Sequence, residues 1–167
     1  MASTGRVILI QLDGEVNVIG SYTPNSGQRQ QNLFYRTQVW DPAFASLLEA
    51  ARASGPTVWM GDINVALSDQ DVSDPIGMSR WSGFTVPERQ NLYALLSSGR
   101  WFDPWRIQHP NLREYSWVGY HQRPGYGMRL DNAIVSDTLL PKVVETYIET
   151  DASDNTDHLP VVLVLRR

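Results

Sequence analysis

The chain reads as one α/β domain with a mixed sheet, and three features of its 167 residues predict this. Strand-like and helix-like runs follow one another in the order ββαβ–αβββ–β, which suits strands and helices sharing one core. Hydrophobic residues make up 42% and charged residues 19%, a globular composition long enough for a real core. Clusters of Gly, Pro, Asp and Asn separate the runs.

The elements follow in order. Arg6 to Leu12 and Val16 to Tyr22 are β-rich and flank Asp13-Gly14, a hairpin signal. Thr23-Pro24-Asn25-Ser26-Gly27 then has loop chemistry. Leu33, Tyr35 or Arg36, Val39 or Trp40, Phe44, Leu47, Leu48 and Ala51 recur at helical spacing up to Ser54-Gly55-Pro56. The apolar run from Thr57 forms a buried strand ending in Gly61-Asp62-Ile63-Asn64. Ser68 to Phe84 is rich in Asp, Ser, Pro and Gly and predicts a long ordered loop. Thr85-Val86-Pro87-Glu88 opens a helix with an N-cap, an early Pro and an acidic first turn, continuing to Gly99. Trp101 to Arg113 reads as irregular and aromatic. Further strands are expected at Tyr115–Val118, Leu130–Val135, Val143–Ile148 and Val161–Leu165.

The bulk numbers exclude several classes. A net charge of −4 argues against a broadly basic nucleic-acid coat, although 13 of the 14 basic residues are Arg, the better phosphate fork. The absence of cysteine removes disulfides, thiolate zinc sites and a thiol nucleophile. No apolar run approaches the roughly 18 residues that span a bilayer. The opening Met1-Ala2-Ser3-Thr4-Gly5-Arg6 has neither a signal-peptide apolar region nor an Arg-rich presequence, so no membrane partner and an intracellular location are expected.

Candidate chemistry gathers at strand ends and loops. Asp62 and Asn64, two residues apart at a strand's end, are expected to point the same way. One can take a proton and the other can donate a hydrogen bond to an oxyanion; an ordinary turn fits the same residues. The last loop holds Asp151, Asp154, Asp157 and His158. There a carboxylate can meet a metal and an imidazole can stabilise charge, or the loop is a solvated acidic one. Asp131 can orient His158, or pair with Arg129. Tyr22 and Asn25 flank a Pro turn and can both donate to phosphate oxygens, or serve only the turn. Trp117, Tyr120, Tyr126 and Met128 form either core or an apolar slot for a base or sugar.

Order and spacing then narrow these alternatives. Tyr22-Thr-Pro-Asn25, Gly61-Asp62-x-Asn64, Gly83-Phe84-Thr85-x-x-Glu88-Arg89, Gly127-x-Arg129-Leu130-Asp131 and Thr156-Asp157-His158-x-Pro160 occur in sequence. Together they resemble the exonuclease III type of apurinic/apyrimidinic endonuclease, in the endonuclease/exonuclease/phosphatase superfamily. Tyr35-Arg36, Trp40-Asp41, Phe44, Gly99, Asp103-x-Trp105-Arg106 and His109-Pro110 agree with it, so the resemblance runs from Gly5 to Leu165.

The resemblance implies magnesium-assisted hydrolysis of a DNA phosphodiester, with Mn²⁺ as a possible substitute. By it, Asp62 activates or aligns water, Asn64 positions the phosphate, and Tyr22 and Asn25 contact its oxygens. His158, oriented by Asp131, stabilises the transition state, and Asp157 sits at the metal. Trp117, Met128 and Leu130 line the pocket for an abasic sugar.

The implied fold is the C-terminal part of a four-layer α/β/β/α sandwich, residues 1–167 forming a single, N-terminally truncated domain. The strand carrying the family's principal magnesium-ligand Glu is missing. Met128 replaces the Trp of the family's Gly-Trp-Arg pattern, and the loop from Asp71 to Ser82 carries only Arg80. The inner face of the sheet is expected to lie bare, and the last strand, Val161 to Leu165, to lack its usual neighbour. DNA is the expected partner, together with a second copy of the chain or another subunit covering that face. A weak or partner-dependent phosphodiesterase is one reading. A degenerate family member serving as a structural or nucleic-acid-binding subunit is the alternative.

Overall fold

The computed structural model describes residues 5–119, 125–152 and 156–166. Tyr120 and Asp154, singled out above, lie outside the described residues. The main sheet has five strands: β1 (Val7–Leu12), β2 (Val16–Tyr22), β3 (Thr57–Asp62), β4 (Trp101–Phe102) and β7 (Asp131–Ser136). Their order in space is β1-β2-β3-β7-β4. Asp13 and Gly14 both take positive φ, as the tight turn between β1 and β2 requires. The pair β2–β3 is parallel, and the helix α1 (Asp41–Ser54) supplies the long crossover that parallel pairing needs.

The helical run before β3 begins with a wider, π-type segment at Tyr35–Trp40. Pro42 lies just beyond that segment, and a ring without an N–H cannot continue regular helix bonding. Helix α2 (Val86–Ser97) starts at Thr85 with a reciprocal cap: Thr85 and Glu88 each bond the other's end of the turn. Trp101 to Arg113 is more ordered than its composition predicts. It contains β4 and a short helix, α3 (Pro104–Gln108), whose first turn is closed by Asp103 accepting from the Arg106 N–H at 3.0 Å. Two residues of strand pairing and five of helix leave no periodic trace in sequence.

Two small pairs complete the β structure among the described residues. Strands β5 (Trp117–Val118) and β6 (Gly127–Met128) pair beside the main sheet, and β8 (Val143–Ile148) pairs with β9 (Val161–Leu165). The last strand is paired on one side, where β8 runs antiparallel along its length, and among the described residues no strand pairs with its other edge.

The helix face of the main sheet buries Ile19, Trp59 and Ile134 against Trp40, Phe44, Leu48 and Leu92. Such side chains contribute about 1.5–3 kcal/mol each through burial. The opposite, inner face is only partly bare. Val161, Leu163 and Leu165 pack there on Val58, Ala133 and Val135. Towards β1 the cover stops: Ile8, Ile10 and Leu12 are 61%, 50% and 50% exposed. No helix among the described residues is long and apolar enough to cross a membrane.

A buried ionic cluster pins the long loop to the sheet. Arg129 donates to Asp71 at 2.7 Å and to Asp103 at 2.6 Å, and Arg106 reaches Asp71 at 2.5 Å. Arg129 also bonds Asn132. Burial alone would raise the Asp71 carboxyl, but the two guanidiniums prevail and hold it below the usual carboxylate range. Replacing Asp71 with Ala leaves Arg129 buried without one of its two carboxylate partners. Urea denaturation is expected to show a loss of about 3 kcal/mol.

Candidate active site

Strand β3 delivers the central groups. At Gly61, φ is +123° and a side chain would meet the Ser21 carbonyl oxygen at 2.3 Å, so only glycine lets β2 and β3 run this close. Asn64 lies beyond the strand with φ +51°, in the left-handed region that Asn tolerates better than most residues. Asp62 and Asn64 thus meet through a reversal of the chain and not through strand alternation.

The reversal folds Asn64 back on Asp62. Its backbone N–H donates to Asp62 Oδ1 and its Nδ2 to Asp62 Oδ2, both at 2.9 Å. Nδ2 also donates to the Thr23 carbonyl at 2.8 Å, and Asn64 Oδ1 accepts from Asn25 Nδ2 at 3.0 Å. Both carboxamide hydrogens of Asn64 are therefore taken, and it reaches a phosphate only by giving one up. Asn25 Oδ1 in turn accepts from Gly27 N–H at 2.7 Å and Ser82 Oγ at 2.9 Å.

Burial, then the neighbouring charge of Asp131, raises the Asp62 carboxyl to about 6, against opposing pulls from His158, the Asn64 N–H and Arg36. His158 Nδ1 lies 2.8 Å from Asp131 Oδ2. That hydrogen bond is the main reason the imidazole holds its proton above the usual histidine range, with burial opposing it. Arg129 turns away from Asp131 to Asp71 and Asp103, so the Arg129–Asp131 pairing does not form. Ser116 Oγ fixes the start of β7 by accepting from the Leu130 and Asp131 N–H groups at 3.0 and 2.8 Å.

Tyr22, Asn25, Asp62, Asn64, Trp117, Met128, Leu130, Asp157 and His158 line one cleft of about 580 Å³. Asp131 touches it through His158 and itself lines a second groove of about 480 Å³ on the inner face, with Tyr22, Ile8 and Met60. Tyr22 is 54% exposed, with the Arg6 guanidinium 4.8 Å from its ring centre. Met128 and Leu130 are buried in the floor, while Tyr126 backs the cluster without lining the cleft.

Sequence reasoning missed Gln28, Arg80, Trp81 and Ser82 on the cleft wall. It also missed two buried struts. Glu88 is 0% exposed and accepts from Ser26 Oγ at 2.5 Å, Thr85 Oγ1 at 2.6 Å and Gly83 N–H at 2.9 Å. Arg36 donates to the carbonyls of Pro24 and Ile63 at 2.9 and 2.8 Å and pairs with Asp41 at 2.7 Å. The spacing Thr85-x-x-Glu88 was a usable signal for a cap, but nothing local pointed from Glu88 to Ser26, 62 residues away.

The donor set does not fit a magnesium site by itself. Asp157 Oδ2 accepts from Trp117 Nε1 at 3.1 Å, and no group of three or more acidic or histidine side chains suited to a metal occurs among the described residues. Mg²⁺ demands near-octahedral oxygen ligation, which one exposed carboxylate does not supply.

A mixed sheet thus carries a carboxylate, an amide relay and a carboxylate-oriented imidazole together at one end. The family model for the endonuclease/exonuclease/phosphatase family matches residues 6–154, and the chain belongs to that family. It is 31% identical over 166 residues to a DNA-(apurinic or apyrimidinic site) endonuclease of Dictyostelium discoideum, covering 96% of this chain and 45% of that protein. It is 32% identical to an exodeoxyribonuclease of Bacillus subtilis, covering 96% and 64%. The structure of an AP endonuclease from Leishmania major superposes with a TM-score of 0.85 at 27% identity, over 98% of this chain and 55% of that one. A Neisseria 3′ phosphatase bound to a product DNA hairpin superposes at 0.84 and 25% identity, over 97% and 65%. The chain thus spans about half to two thirds of the length of these relatives. Family members are hydrolytic nucleases and phosphatases that generally depend on a divalent metal.

The raised Asp62 carboxyl has a measurable sign. Between the unfolded value of 3.8 and about 6 the folded chain holds a proton that the unfolded chain releases. This group's contribution to stability therefore falls as pH rises through that window. Carboxyl-carbon NMR is expected to give Asp62 a titration midpoint near 6, and a midpoint near 4 would contradict the burial described here.

Proposed function

We propose that this chain is a phosphodiesterase of the abasic-site endonuclease or 3′-exonuclease type acting on DNA, weak or partner-dependent in this form. The observation that carries the reading is the single cleft gathering Asp62, Asn25, Tyr22 and the Asp131-held His158. Asp62 aligns water and takes its proton as the oxygen attacks phosphorus, and a carboxyl poised near 6 suits that task close to neutral pH. Meanwhile the bond from phosphorus to the leaving sugar oxygen breaks, and that oxygen takes a proton from solvent. His158, kept cationic by Asp131, stabilises charge on the phosphoryl oxygens, and Asn25 and Tyr22 add donors. Asn64 positions the phosphate indirectly, by fixing Asp62 and Asn25. Trp117, Met128 and Leu130 hold the sugar side of the substrate.

Magnesium, with manganese as a substitute, is the cofactor this reading requires, and Asp157 is the residue assigned to it. The remaining ligands must come from outside the described residues. Residues 1–167 thus form one family-type domain that lacks the N-terminal strands, and it acts inside the cell. The bare apolar strip along β1 supports a partner there, either a second copy or another subunit. Light scattering on the purified chain is expected to give a dimer, or a complex when a partner is co-expressed; a stable, soluble monomer would overturn this.

The incomplete metal set favours one other reading, a degenerate member retained as a structural or nucleic-acid-binding subunit. Cleavage of an abasic-site duplex separates the two. Wild type with Mg²⁺ is expected to cleave, and Asp62→Ala and His158→Ala to lose at least about a hundredfold. Activity surviving both changes would mark a contaminant, and none from wild type with Mg²⁺ or Mn²⁺ would support the subunit reading.

A further inference from the structure

Trp81 stands on the cleft wall between Arg80 and Ser82, in a loop that otherwise has little aromatic character. Its ring lies 4.8 Å from that of Tyr126, at 44°. Trp81, Trp117 and Tyr126 all pack on one buried cluster that includes Met128, Phe84 and Leu130. The backbone around the indole is tied down on both sides. Trp81 N–H donates to the Met78 carbonyl at 2.8 Å, and Phe84 N–H donates to the Trp81 carbonyl at 3.0 Å. Gln30 Nε2 holds the Arg80 carbonyl at 2.7 Å, and Ser82 Oγ holds Asn25 Oδ1 at 2.9 Å. Ser82, the next residue, thus ties this segment to Asn25 on the same cleft.

Such a wall suits a flat, π-bearing ligand. Two indoles line the cleft, and the Met128 thioether beneath them is polarizable and adapts to a ring. Stacking of a base on an aromatic side chain is worth about 1–3 kcal/mol, whereas a sugar without a base has no π face to offer. The cleft volume of about 580 Å³ lies in the range of roughly 300–1,000 Å³ usual for small-molecule sites.

We propose that Trp81 is a specificity-determining residue that stacks on a nucleobase, so that the cleft prefers a base-bearing nucleotide at a DNA 3′ end over an abasic sugar. The inference rests on the phosphodiesterase reading and names its substrate class.

The test uses the full 167-residue chain and fluorescence anisotropy, without turnover. One labelled single strand ends in a 3′ thymidine and the other in a tetrahydrofuran abasic residue. Wild type is expected to bind the thymidine strand about fivefold tighter or better. Trp81→Ala is expected to weaken that strand about tenfold and the abasic strand less than twofold, with Trp81→Phe keeping most of the preference. Thermal melts check that both variants are folded. Equal loss on both strands, no loss, or no preference in wild type overturns the inference while leaving the phosphodiesterase reading standing. Failure of wild type to bind either strand overturns the reading and takes the inference with it.

Discussion

Asn64 joins the end of β3 to the Thr23–Asn25 turn, some forty residues earlier in the chain, and the cleft depends on the bonds it makes. Its left-handed backbone turns the chain back at the end of β3, and its carboxamide then ties Asp62, the Thr23 carbonyl and Asn25 together. A residue unable to adopt that φ, or lacking both donor and acceptor, would release the phosphate-facing loop and the carboxylate at once. Glu88 and Arg36 brace the same loop from beneath, through Ser26 and the Pro24 carbonyl. The desolvation that raises Asp62 follows from this bracing, because it closes protein around the carboxyl.

Much of this architecture was legible in the sequence, for different reasons at different places. Strands β1, β2, β3, β8 and β9 and helix α2 were visible because their apolar patterns and their Gly, Pro and Asp boundaries agree. Trp101–Phe102 and Pro104–Gln108 were not, since elements of two and five residues exist only through what they pack on. At the site, Asp62, Asn64, Asp131 and His158 stood out as ordered motifs. Their geometry did not: the expected strand alternation for Asp62 and Asn64 gave way to a reversed turn. Trp81, Ser82 and the bond from Ser26 to Glu88 escaped because the partners lie tens of residues away, and a single sequence holds no trace of such pairings.

The two grooves meet at Tyr22 and Asp131. One holds the reactive groups, and the other runs over the exposed strip that ends at Ile8. Whatever covers that strip therefore lies against the carboxylate that holds His158. Packing and chemistry are coupled here: a layer laid over Ile8, Ile10 and Leu12 would also dry the back of the Asp131–His158 pair, strengthening it electrostatically.

In the proposed function the Asn25–Asn64–Asp62 relay and His158 act as one phosphate-recognising unit. Nitrogen-15 NMR of the side-chain amides and imidazole, recorded while a short duplex with one abasic site is added, tests it without metal or turnover. Concerted shifts of the Asn25 and Asn64 carboxamides and of His158 are expected, with one common dissociation constant. Shifts confined to other surfaces, or separate saturation of the amides and the imidazole, would contradict it.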